Sequence, residues 1–336
     1  MATDLFLAAS EWPSGSLARA VPPSCDRGID HPPPPEHDRQ DLIVKLPEWR
    51  PREPAHRLVP ALSVLGDGVA GFRFEMSVFA AGAWTPWLAG ATVGSASFPE
   101  ALGRSDTFAC EVDEFIAGAP AERVRLILRV SPADLDVPFA APWFVSLSAW
   151  SPSPRPGPPS GSSVRLSVPA LSQMDEDAEI RNRICSPASV AMVLAYYGAP
   201  IAVADLAREI FQPALDLYGV WPAAVRAAGR RGVAGYPLRL PDWPTPAGGL
   251  EQGMPLLASV RGGPGELTDG ANAEASGHLL VLTGYEGDDV LVNDPAAPQA
   301  DAVARRYRLE ELRRVWLERT GVGYVLFAPL HPGNRR

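Results

Sequence analysis

The stretch Ser151-Pro-Ser-Pro-Arg-Pro-Gly-Pro-Pro-Ser-Gly-Ser-Ser163 constrains this chain more than any other feature. It offers no core residue, and its prolines donate no backbone hydrogen bond, so neither helix nor sheet runs through it. A chain of 336 residues interrupted there must find its buried cores on either side, which suits the usual size of about 100 to 200 residues per domain. Residues 151–163 therefore read as an interdomain linker, and the hydrophobic pattern differs on its two sides.

On the N-terminal side, residues 41–150 show period-2 alternation. Phe72, Phe74, Met76 and Val78 alternate with Arg73, Glu75 and Ser77, and Val124, Leu126, Leu128 and Val130 alternate with Arg125, Ile127 and Arg129. Side chains spaced by two lie on one face of a strand, so these are half-buried strands. The segments Trp84 to Trp87, Thr107 to Val112 and Trp143 to Trp150 add further candidates, and no long helical pattern intervenes. An all-β sandwich is the economical expectation. Residues 1–40, with Pro22-Pro23 and a run of prolines after His31, read as an irregular Pro-rich arm in which His31 and His37 are solvated.

On the C-terminal side, residues 164–330 mix the two periods. Helices are predicted over Ser186 to Tyr197, Val203 to Phe211, Trp221 to Arg230 and Leu309 to Arg319. Strands are predicted over Pro255 to Val260, His278 to Tyr285, Asp289 to Asn293 and Gly323 to Phe327. Helices first and a meander after them predict an α+β fold with helices packed on an antiparallel sheet.

The bulk numbers exclude several functions. A formal charge of −9, with Lys45 as the sole lysine, is unsuited to phosphate neutralisation and argues against a nucleic-acid partner. No apolar run reaches bilayer-spanning length, so no membrane span is expected. The opening Met-Ala-Thr-Asp-Leu-Phe-Leu lacks the positive charge and apolar length of a secretory signal, and a cytoplasmic location is expected. Cys25, Cys110 and Cys185 are too few and too scattered for a disulfide framework, and a reduced compartment suits a reactive thiol. No His-x-x-x-His or paired-cysteine spacing points to a metal. Gly262-Gly-Pro-Gly265 lacks the helix and Gly-Lys-Ser of a phosphate loop, so no cofactor is expected.

Three residues have the chemistry of nucleophilic catalysis. Cys185 opens the run Cys-Ser-Pro-Ala-Ser-Val-Ala-Met-Val-Leu-Ala-Tyr-Tyr-Gly, where a helix N-terminus lowers a thiol pKa and Pro187 fits the first turn. His278 follows Gly277 and opens a strand, the place for a general base. Asp294 closes the next strand before Pro295, and a hairpin through Glu286-Gly-Asp-Asp289 would return it beside His278 to orient the ring. Taken singly, each has a structural reading: a small core cysteine, a strand histidine, an Asp-Pro turn. Gln173, upstream in Val168-Pro-Ala-Leu-Ser-Gln-Met, carries an amide able to stabilise an oxyanion.

Gln173, the helix from Cys185, Gly277-His-Leu-Leu-Val-Leu-Thr-Gly284 and Val292-Asn-Asp-Pro295 together resemble the papain-like cysteine peptidases related to the double-glycine leader peptidases, the bacteriocin-processing enzymes. The resemblance covers about residues 164 to 328. It implies a papain-like domain, with Cys185 as nucleophile, His278 as base, Asp294 as orienter and Gln173 as oxyanion donor, acting on a peptide or protein substrate. The N-terminal β-rich part is similar to the domain preceding the peptidase in some free-standing bacterial members. Two departures stand out: the acidic Asp175-Glu-Asp-Ala-Glu179 lengthens the gap between Gln173 and Cys185, and no transmembrane or nucleotide-binding segment is present. The same triad would serve an acyltransferase. A non-catalytic binder of peptide or glycan is the other alternative, with exposed Trp84, Trp87, Trp143 and Trp150 as its signature; the sandwich's own ligand is not legible. The Gly-rich loop from Arg261 to Ser276 reads either as a flap over the cleft or as an ordinary surface loop.

Overall fold

The computed structural model describes residues 4–10, 12, 15–22, 29–38, 41–132, 142–151, 163–272 and 275–329. Cys25 and nearly all of the 151–163 stretch lie outside these. Before residue 151 the chain forms two sheets. In the first, the strands stand in the order Phe108–Glu111, Glu114–Ala121, Ala55–Val64, Trp143–Trp150, Asp4–Ser10 and Ile29–Asp30. The second runs Glu36–Asp38, Asp41–Lys45, Arg123–Pro132, Val69–Ala80 and Ala83–Trp84. The alternation dictates how they meet: Phe72, Phe74, Met76, Val78, Leu126 and Leu128 of the second sheet share one core with Ala8, Leu58, Leu62, Val145 and Leu147 of the first. Burying such alternate residues on both inner faces is what holds paired sheets together.

The expected irregular arm over residues 1–40 is corrected here. Asp4–Ser10 is an interior strand paired along its whole length with Trp143–Trp150. Its lack of alternation has a physical cause: Phe6 and Ala8 point into the core between the two sheets, while Leu5, Leu7 and Ala9 point into a second core on the other face. A strand covered on both faces is apolar throughout, and period-2 reading misses it. Trp143–Trp150 is likewise buried at every position. Trp143 and Trp150 are therefore buried and not the exposed rings expected above; of the four tryptophans Trp84 is half-buried, and Trp87, 41% exposed, is open to solvent. His31 and His37 are exposed.

The third sheet belongs to the C-terminal part and is antiparallel throughout. Its order is Ala234–Arg239, Val322–Phe327, Leu256–Gly262, Ala275–Glu286, Asp289–Asn293 and Ala304–Arg308, with Ser163–Arg165 pairing to Ala275–Glu286. The strands from Leu256–Gly262 to Ala304–Arg308 form a meander in chain order, but its fourth strand is the unanticipated Ala304–Arg308; the strand expected there, Val322–Phe327, inserts instead between Ala234–Arg239 and Leu256–Gly262. Ala234–Arg239 was not anticipated because Pro237 interrupts its pattern; it lies at the sheet edge, where a missing donor is tolerated. The helices are Cys185–Tyr196, Val203–Ile210, Trp221–Gly229, Pro244–Glu251 and Leu309–Val315. The last is shorter than expected because Trp316 leaves helical geometry, its indole N–H donating to the Val322 carbonyl at 2.9 Å.

The second core joins the two parts of the chain. Leu5, Leu7 and Phe144 of the first sheet pack with Tyr236, Leu238 and Phe327 of the third. Backbone approaches closely at Gly229, where the Gly66 N–H donates to the Gly229 carbonyl at 3.0 Å. A Cβ on Gly229 would sit 2.1 Å from the Val64 carbonyl oxygen, so only glycine fits.

Candidate active site

Cys185 is the first residue of the helix Cys185–Tyr196. Pro187 sits in the first turn, where its absent N–H costs nothing. The helix ends through Gly198, whose φ of 81° lets the Ala199 N–H reach back to the Leu194 carbonyl at 2.9 Å. Ser186 to Leu194 are all buried, as expected for a helix apolar on every side. One turn on from Cys185 and on its face, the Ser189 hydroxyl donates to the Leu279 carbonyl at 3.2 Å. That contact ties the helix of Cys185 to the strand carrying His278.

His278 lies near the start of Ala275–Glu286, directly after Gly277, whose φ is 142°. The pairing with Leu256–Gly262 shifts register between Val260 and Gly262, opposite this point. A positive-φ glycine beside a bulge re-aims the side chain that follows. Asn293 pairs with Val281, so Asp294 continues opposite Leu280 and His278 is its diagonal neighbour on the same face. His278 Nε2 and Asp294 Oδ1 are 2.7 Å apart, and both side chains are buried.

Asp294 is held by more than the histidine. The Ala296 N–H donates to Oδ1 at 3.0 Å, and the Tyr307 hydroxyl donates to Oδ2 at 2.7 Å. The Tyr307 oxygen in turn accepts from the Ala271 N–H at 3.2 Å. Burial works against the Asp294 carboxylate, but the His278 charge and hydrogen bond, then Tyr307 and Ala296, hold it below the ordinary range. Burial likewise disfavours a charged imidazole, yet Asp294 and then Cys185 push His278 up to about 10. Burial raises the Cys185 thiol, and His278 together with the N–H groups of Leu279 and Ser186 more than offsets it, leaving the thiol lowered. With Nε2 on Asp294, Nδ1 is the ring nitrogen left for the thiol, and these directions favour a thiolate–imidazolium pair.

Gln173 is buried in a 3-10 turn, Gln173–Asp175. Its backbone N–H donates to the Pro295 carbonyl at 2.9 Å, joining it to the Asp294 loop. Its side-chain Nε2 donates to the Arg181 carbonyl at 2.6 Å, which uses one of two amide hydrogens and leaves the other without a partner among the described residues. The acidic segment between Gln173 and Cys185 is compact. It folds back, with the Arg181 N–H donating to the Asp177 carbonyl at 2.9 Å and a second 3-10 turn, Arg181–Arg183, leading into Cys185.

Two residues that sequence reading missed border the site. Tyr307 stands on the Arg-rich strand Ala304–Arg308 and is placed by pairing with Val290. Tyr324 brings its hydroxyl beside Ser186 and Cys185, where the two hydroxyls lie buried without a well-formed partner. The loop before His278 is pinned: the Thr268 hydroxyl donates to Glu311 at 2.7 Å, Arg319 pairs with Glu266 at 2.5 Å, and the Arg305 guanidinium donates to the Asp269 carbonyl at 2.7 Å. Among the described residues no helix is long and apolar enough to cross a membrane.

Residues 165–324 match the model of the Peptidase_C39 like family, just under half of the 336 residues. No curated protein matches the chain. Among solved structures, a double glycine motif protease from an AMS/PCAT transporter, in complex with the leader peptide, is 21% identical with a TM-score of 0.33, over 49% of this chain and 97% of that one. A C39-like peptidase from Bacillus anthracis is 19% identical with a TM-score of 0.37, over 49% of this chain and 98% of that one. Residues 165–324 of this chain are thus similar to the Peptidase_C39 like family.

Proposed function

We propose that the chain is a thiol hydrolase that cleaves a peptide or amide bond through Cys185, His278 and Asp294. The observation that carries this reading is the 2.7 Å contact of His278 Nε2 with Asp294 Oδ1, which leaves the other ring nitrogen for a thiol at a helix start. The Cys185 thiolate attacks the carbonyl carbon, and a C–S bond forms as charge moves to the oxygen. The second Nε2 hydrogen of Gln173 and the Cys185 N–H stabilise that oxyanion. His278 gives its proton to the leaving nitrogen as the C–N bond breaks, and the amine departs. Water, deprotonated by His278, then attacks the thioester; the C–S bond breaks, the acid leaves, and the proton stays on His278 beside the thiolate.

In this reading residues 164–330 have a papain-like arrangement, with the nucleophile helix packed on an antiparallel sheet that carries the base, and residues 41–150 with the Asp4–Ser10 strand form a β-sandwich. The substrate is a peptide or protein. A reducing, cytoplasmic setting keeps Cys185 as a thiol.

Proteome-wide N-terminus profiling with the full chain and with Cys185→Ala tests the reading. New peptide N-termini are expected with the first protein only. Their absence, together with iodoacetamide labelling of Cys185 no faster than that of Cys110, would sink it; burial raises the Cys110 thiol to about 12, so Cys110 should react slowly.

A further inference from the structure

A cavity of about 390 Å³ lies where the first sheet meets the peptidase-family segment, lined among others by Arg57, Glu114, Trp150, Trp221, Arg239 and Arg261. The volume is in the range that takes a small ligand or a few groups of a larger one. Its charge does not balance. Arg57 pairs with Glu114, and Arg319 at the rim pairs with Glu266, but neither Arg239 nor Arg261 has an ion pair among the described residues. Arg239 is the more telling of the two. It is 3% exposed, its Nε has no hydrogen-bond partner among the described residues, and its side chain lines the cavity.

A buried guanidinium without a counter-ion is costly, so a partner must compensate it. A second guanidinium at the same cavity makes a planar anion the natural occupant, because the arginine fork bonds carboxylate oxygens in pairs. The location says which anion. Trp221 forms one wall, and its ring meets that of Tyr324 edge-on at 6.4 Å between centroids. Arg261, which lines the cavity, directly follows Val260, the residue paired with His278, so the cavity lies at the end of the sheet that carries His278. Trp150 and Trp221 supply flat apolar surface for the stem of an acidic residue.

We propose that this cavity is a carboxylate-binding subsite, in which Arg239 and Arg261 engage a carboxylate of the bound peptide. The proposal rests on the hydrolase reading for its substrate class. It makes the N-terminal sheet, through Arg57, Glu114 and Trp150, part of substrate selection.

The test is binding to the full chain carrying Cys185→Ala, followed by tryptophan fluorescence and calorimetry. Three pentapeptides are compared: acetyl-Ala-Ala-Glu-Ala-Ala-amide, its Gln counterpart, and the Gln peptide with a free C-terminal carboxylate; inorganic phosphate is the fourth probe. At least one carboxylate peptide should bind about tenfold more tightly than the neutral one, and which does so tells a side chain from a C-terminus. Arg239→Gln should abolish the difference. Should that variant fail to fold, Arg261→Gln at an exposed position should reduce the difference several-fold with an unchanged melting temperature. Equal affinity for all three peptides, or binding of phosphate alone as an adventitious ion only, overturns the proposal. Because the Cys185→Ala protein turns nothing over, the two readings fail separately. Acidic peptides bound by this variant but cut by no form of the chain would remove the hydrolase reading and keep the subsite. Cleavage indifferent to acidic residues would do the reverse.

Discussion

Replacing Tyr307 by Phe removes one oxygen and leaves the ring in place. In the native chain that oxygen donates to Asp294 Oδ2 at 2.7 Å and accepts from the Ala271 N–H at 3.2 Å. Burial and the Asp294 charge hold the tyrosine proton in place, so the hydroxyl is a donor at any working pH. A hydrogen bond to a charged group contributes about 1.5–3 kcal/mol. Taking ~2 kcal/mol, the Asp294 carboxyl rises by ~1.5 pH units. Part of this passes on: a less firmly charged Asp294 supports the His278 cation less, and a weaker cation lowers the Cys185 thiol less. If about a third is transmitted, Cys185 rises by ~0.5 unit, a roughly threefold fall in thiolate on the acid limb.

The rate of iodoacetamide alkylation of Cys185 against pH reads this without a substrate. The acid limb of Tyr307→Phe should lie ~0.5 unit above that of the wild type, while thermal stability falls by about 1–2 kcal/mol. A loss of stability with an unmoved alkylation profile would refute the reasoning, because Tyr307 would then support the fold and not the titration of the site.

Gln173→Ala should lower turnover by about 10² to 10³ and leave the alkylation rate of Cys185 unchanged; a parallel fall in both would make Gln173 a scaffold residue. Stability against pH should show the His278–Asp294 pair. Asp294 is lowered in the folded chain, so its contribution is complete above its unfolded value of ~3.9 and is lost as pH falls through the folded one. His278 is raised, so its contribution is complete below ~6.5 and is lost as pH rises through about 10. Denaturation midpoints should therefore peak between these limits in the wild type and flatten in Asp294→Asn. Asp113 works the other way: burial lifts its carboxyl to about 7, so the folded state favours the neutral form and stability falls as pH rises from ~3.9 towards that value. Asp113→Asn, which keeps an acceptor for the Trp221 N–H, should gain in midpoint at pH 8 and show no gain near pH 4; the opposite ordering would count against the assignment.

Legibility in the sequence follows punctuation. Cys185 is marked by the Ser-Pro of a helix start, His278 by the glycine before a strand, and Asp294 by the proline that ends one. Each sits at an element boundary that local residues specify, and the short Glu286-Gly-Asp-Asp289 turn makes the His278–Asp294 approach a matter of counting. Tyr307 carries no such mark. Arg-Arg-Tyr-Arg has neither period, and the residue reaches Asp294 only because Val290 pairs with it across a non-local ladder. Arg239 was hidden by Pro237, and Asp113 by its position in a hairpin turn whose partner is distant in sequence, where its Oδ2 accepts from the Trp221 N–H at 2.7 Å. Asp4–Ser10 was missed for a different reason: reading a sheet as half-solvated fails when a third layer covers the second face.

That third layer changes what the N-terminal part is for. A sheet with one wet face is a module that a linker can carry about, but Trp143–Trp150 is buried at all eight positions and its second face belongs to the core containing Tyr236 and Phe327. The helix Trp221–Gly229 shows the consequence at close range. Its first N–H is bonded by Asp113, and its last residue has no room for a Cβ against the Val64 carbonyl, so both ends of it are set by residues from before position 151. The same helix carries Trp221 to the ring of Tyr324 and so to the neighbourhood of Cys185. The position of Trp221 beside Tyr324 is thus set by residues from before position 151, and separating the two parts of the chain would release that helix as well as expose the shared core.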